Sequence, residues 1–123
     1  MKYFLIATGL VTVLILIGGI FFVSKNQASE FSAPTTYEYF WGDGCPHCAK
    51  VAEFFDSWDG DEKLKVDKKE VWNNPANTSL MTQRARTCNI TPTEMGVPLL
   101  VTPEGKCVGG DEPIINFLKG LEL

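Results

Sequence analysis

The first 29 residues contain no acidic side chain, and from Tyr3 to Val23 there is no charge of either sign. That absence excludes a solvated surface helix. These 21 residues form a helix about 31 Å long, matching a hydrocarbon core of about 30 Å. A cleaved signal peptide has a shorter apolar region, about 7–15 residues, ending in a small-x-small site. Gln27-Ala28-Ser29 is a weak version of such a site, so an uncleaved, single-pass signal anchor is expected over 1–23. No cysteine lies near the end of the run, which argues against a lipid-modified cysteine anchor.

There is also no basic run. All 15 acidic residues and 10 of the 11 Lys and Arg lie beyond the apolar stretch, leaving a mildly acidic domain. Nucleic acid is therefore not an expected partner. The chain has no internal repeat or low-complexity tract and only one histidine, His47. His47 lies two residues from Cys45 with no third group in the sequence to orient it, which argues against a His–Cys hydrolase. Lys2 and Lys25 flank the apolar run and give almost no positive-inside bias. The four cysteines decide the orientation instead. Grouped in a small domain beyond the span, they suit an oxidising, extracytoplasmic compartment.

What the chain does have is Cys45-Pro46-His47-Cys48, set behind Phe40-Trp41-Gly42-Asp43-Gly44. Thiols at i and i+3 fit one helical turn and can open and close a disulfide. Pro46 suits the first helical position, where a missing N–H costs nothing, so Cys45 takes the N-cap. The helix dipole and unpaired amides there favour a thiolate, making Cys45 the attacking sulfur and Cys48 the resolving one. A cationic His47 would assist the Cys45 thiolate. The alternative is half of a copper or zinc site, but no second CxxC completes a zinc ribbon.

Residues 24–34 are polar, end in Ala33-Pro34 and read as a tether; 35–123 form the domain. Thr36–Trp41 reads as a strand, then Pro46 to Gly60 as a helix buried along Cys48, Val51, Ala52, Phe55 and Trp58. A second, edge-like strand covers Leu64–Val71. Asn74-Pro75 starts a helix running to Thr87 or Cys88. Val97–Thr102 and Lys106–Val108 form a hairpin, and Gly109-Gly110-Asp111 opens a terminal helix capped by Asp111. Cys88 and Cys107 fit three readings: a structural disulfide, two buried thiols, or a second redox pair.

That β-α-β-α-β-β-α order, with CxxC after the first strand and Pro98 before the third, resembles the thioredoxin fold. The resemblance implies a central four-stranded mixed sheet flanked by helices. Cys45-Pro46-His47-Cys48 is similar to the motif of DsbA-type oxidants, and Trp41 sits where thioredoxins often carry Trp. Gly96-Val97-Pro98 with Gly109-Gly110-Asp111 is more similar to a glutaredoxin. The resemblance implies thiol–disulfide exchange without a cofactor or metal. It further implies a cis Val97–Pro98 peptide and substrate contact through Val97 and Pro98. Implied partners are cysteine-bearing proteins, a membrane redox partner and, through Asp111, glutathione. One position departs from the pattern: Tyr39 occupies the slot of a buried acid, and Glu38 lies one residue off, on the opposite face.

Overall fold

The structure is a computed structural model that describes residues 1–25, 32–61 and 63–123. It divides into two compact units, Met1–Ser32 and Ala33–Leu123. The first is a helix, α1 (Lys2–Lys25). Among the described residues no helix is long and apolar enough to cross a membrane. The side chains at 5 and 19–25 lie outside that description, so the full apolar run is read from sequence alone. Most of the tether expected over 24–34 likewise lies outside the described residues.

In the second unit, β1 (Tyr37–Trp41), β2 (Val66–Glu70), β3 (Leu99–Val101) and β4 (Cys107–Gly109) form one sheet in the order β2-β1-β3-β4. β1 runs parallel to β2 and antiparallel to β3, and β3 is antiparallel to β4. Three helices complete the unit: α2 (Pro46–Ser57), α3 (Pro75–Thr87) and α4 (Asp111–Lys119). This α/β arrangement is compatible with the thioredoxin-like resemblance.

Alternation along β1 divides the core. Tyr39 packs with Val51 and Phe55 of α2 and Ile114 and Leu118 of α4 on one face. Phe40 packs with Met81 of α3 and with Val71, Leu99 and Val101 on the other. Phe40, Leu100, Ile114 and Leu118 are fully buried, each worth about 1.5–3 kcal/mol of apolar burial.

Several boundaries differ from the sequence reading. α2 stops at Ser57, not Gly60, because Trp58 turns extended and stacks on Phe54, ring centroids 5.3 Å apart. Gly60 then lies under the Trp58 ring, where a Cβ would collide. The second strand is five residues rather than eight, and β3 begins at Leu99 rather than Val97. It starts there because Pro98 has no N–H to place in the ladder with β1, whose pairing ends at Phe40↔Leu99. α3 begins as expected, with Asn74 accepting from the amides of Ala76 and Asn77 at 3.1 and 3.2 Å. Cys88, capping α3, is bonded to Cys107 of β4 across 19 residues. Closing a loop of that length restricts the unfolded chain by about 3 kcal/mol.

Candidate functional site

β1 delivers the chain to the site through a tight loop. Cys45 N–H donates to Gly42 O at 3.2 Å, and Gly44 takes φ 79°, which a glycine adopts without strain. The Trp72 ring lies so close to Gly42 that any Cβ there would strike it. Glu70, ending β2, holds both sides of this contact. Its carboxylate accepts the Asp43, Trp72 and Asn73 amides at 3.3, 2.8 and 2.9 Å. Desolvation pushes the Glu70 carboxyl up, but the three amides together outweigh it and hold it below its ordinary range.

Cys45 is the N-cap of α2, with Pro46 in the first turn. Its Sγ accepts the Cys48 N–H at 3.1 Å, an amide that would also meet a Cys45 thiolate. Cys45 and Cys48 form a disulfide, Cα atoms 5.2 Å apart. Exposure does not distinguish the two sulfurs, since the residues are 7% and 4% exposed. What distinguishes them is position: Cys45 sits at the helix terminus and Cys48 a turn inside.

The Val97–Pro98 peptide is cis and places the Val97 carbonyl 3.9 Å from Cys45 Sγ. Pro98 O accepts from Gly110 N–H at 3.0 Å, tying this loop to the start of α4. With the ladder ending at Leu99, the Val97 backbone stands beside the sulfur at the end of the sheet. A groove of about 320 Å³ runs past Trp41, Gly44, Cys45, Pro46 and Ala49. Met95 packs against the Phe40 cluster.

A second cavity, about 310 Å³, adjoins Cys48 and is lined by Tyr39, Ala52, Phe55, Asp56 and Lys68. Tyr39 is 3% exposed, and its hydroxyl has no hydrogen-bond partner among the described residues. Burial pushes its phenol well above the ordinary value of 10.0, so Tyr39 stays neutral and is no proton acceptor near pH 7. Glu38 does not replace it, because both its oxygens bind Arg84 on the opposite face, at 2.7 and 3.1 Å. An unsatisfied buried hydroxyl costs about 1–3 kcal/mol. Tyr39→Phe is therefore expected to unfold at higher urea, by about 1 kcal/mol. A clear loss of stability would mean the hydroxyl has a partner in the cavity.

Asp111 departs from the sequence reading. Gly110, at φ 95°, is the N-cap of α4 and makes no side-chain cap. Asp111 is the first helical residue, and its Oδ2 lies 3.2 Å from His47 Nδ1 and 2.9 Å from Lys50 Nζ. The Lys50 and then the His47 contacts hold its carboxyl far below the ordinary 3.8. Sequence pattern missed this pairing. The one signal was the i, i+3 spacing of His47 and Lys50, which puts them on one face of α2.

Among the described residues no group of three or more His, Cys, Asp or Glu is arranged to hold a metal ion. The chain matches no protein-family profile, no curated protein and no solved structure.

Proposed function

We propose that the chain is a thioredoxin-like thiol–disulfide oxidoreductase whose domain, 35–123, exchanges disulfides with extracytoplasmic proteins. The observation that carries the reading is the bonded Cys45–Cys48 pair at the start of α2, with Cys45 Sγ accepting the Cys48 amide. In the oxidised form, a substrate thiolate attacks Cys45. The Cys45–Cys48 bond breaks, Cys48 leaves as thiolate and takes a proton, and a mixed disulfide forms through Cys45. A second substrate thiolate attacks its own bonded sulfur and releases the Cys45 thiolate. Two electrons pass to the protein, and the substrate keeps the new disulfide. In reverse, the Cys45 thiolate attacks a substrate disulfide and Cys48 resolves the adduct. An extended substrate segment would pair with the Val97 backbone, whose hydrogen-bonding edge is not used by the β1–β3 ladder.

The chain is anchored to the cell membrane by 1–23 and tethered by 24–34, with the domain outside the cytoplasm. Support for the anchor comes from α1 being apolar all round rather than on one stripe. The Thr8 and Thr12 hydroxyls are satisfied internally, Thr8 donating to Phe4 O at 3.0 Å and Thr12 to Gly9 O at 2.9 Å. A membrane redox partner would reset the Cys45–Cys48 pair after turnover, and glutathione is a second candidate partner. Pro-His leans the assignment towards oxidation or isomerisation.

The deciding experiment is equilibration of the purified full chain with glutathione buffers, alongside catalysed reoxidation of a reduced, unfolded protein. CxxC potentials span roughly 150 mV, about 7 kcal/mol, so the value separates oxidant from reductant. No exchange at all, with copper or zinc bound stoichiometrically, would overturn the reading in favour of a metal-binding module.

A further inference from the structure

The feature that sequence pattern did not anticipate is the position of Asp111. A cation beside an N-cap sulfur favours its thiolate, and stabilising the thiolate stabilises the reduced dithiol. α2 carries two basic side chains in its first turns, His47 and Lys50, 64% and 61% exposed. Neither stands alone. Both meet one oxygen of Asp111, whose side chain is only 13% exposed. That carboxylate is fixed in place, since Gly110 N–H bonds Pro98 O at 3.0 Å and Ile114 N–H bonds Gly110 O at 3.2 Å. Glu112, the next residue of α4, adds a weaker negative field at Lys50. The loop that brings Val97 to Cys45 therefore also brings a negative charge to the basic side chains at the start of α2.

We propose that Asp111 is a positioning residue that draws His47 and Lys50 onto itself and so weakens the positive field at the Cys45 sulfur, disfavouring the dithiol relative to the disulfide. This rests on the exchange reading above and assigns the tuning of that site to α4. The sign follows from charge: replacing the carboxylate by an amide removes one negative charge from the start of α2 and leaves Lys50 without that partner.

The test compares Asp111→Asn with Glu112→Gln, both in the full chain. Two quantities are read: the pH dependence of Cys45 alkylation in the reduced protein, and the equilibrium constant with glutathione. Asp111→Asn should make Cys45 react at lower pH and shift the equilibrium towards the dithiol by about tenfold, about 30 mV for this two-electron couple. Glu112→Gln should shift it far less. Combining Asp111→Asn with His47→Gln leaves Lys50 as the remaining basic partner of that position, so the shift should persist there. Lys50→Met, on an exposed side chain, should move both readouts the opposite way and covers the case of an unfolded Asp111 variant. An unchanged Cys45 titration in both Asp111→Asn backgrounds, or no reversal with Lys50→Met, would overturn the proposal. If the titrations move as expected but no protein disulfide is exchanged, the functional reading fails and the electrostatic one stands.

Discussion

Mixed with a disulfide-bearing protein, the Cys48→Ser variant should accumulate a mixed disulfide through Cys45, while Cys45→Ser should form none. Burial does not predict this asymmetry, because the two residues are 7% and 4% exposed. Helix position does. Cys45 Sγ already accepts the Cys48 amide at 3.1 Å, and the helix terminus lowers a thiol placed there. A fall in thiol pKa from about 8.5 to about 6.5 raises the thiolate at pH 7 about 25-fold. Lower basicity costs about 8-fold in nucleophilicity, so attack gains only about threefold. The larger benefit is to departure, since a low-pKa sulfur leaves a mixed disulfide faster. Cys45 is thus suited both to entering the adduct and to being displaced by Cys48. Mass analysis of non-reduced adducts measures the outcome. Comparable adduct formation by Cys45→Ser would remove the assigned roles.

The elements positioning these sulfurs were legible because their signals are local. Pro46 fixed the start of α2, Asn74-Pro75 that of α3, and the change from period 2 to period 3.6 after Trp41 separated β1 from α2. Contacts between distant residues were not legible. Trp58 ends α2 early by stacking back on Phe54, although its spacing continues the helical face. Asp111 reads as a helix cap, yet the approach of α4 to α2 gives its carboxylate two basic side chains to bind. Of the three readings of Cys88 and Cys107, the bond between the end of α3 and β4 excludes two buried thiols. Glu38 read as a misplaced acid because nothing local marks Arg84, 46 residues on, as its partner.

That pair makes the largest stability prediction. Arg84→Met should destabilise the domain by about 3–5 kcal/mol, since breaking a buried ion pair strands a charge away from water. Glu38 and Arg84 are each 7% exposed, so little solvent screens the stranded carboxylate. A domain of this size has about 5–15 kcal/mol in total, so the loss is a large share of the whole. Adding Glu38→Leu should recover most of the loss, because two apolar groups leave no charge to solvate. Urea unfolding of the single and double variants reads both numbers. Glu38→Gln then separates structure from chemistry. It keeps the shape and removes the carboxylate charge, so stability should fall while the exchange rate per folded molecule stays unchanged. The reason is geometric: Glu38 faces α3, whereas Tyr39 and Cys48 line the cavity on the α2 side of the sheet. A Glu38→Gln protein that remains folded but resolves its mixed disulfide slowly would return Glu38 to proton transfer.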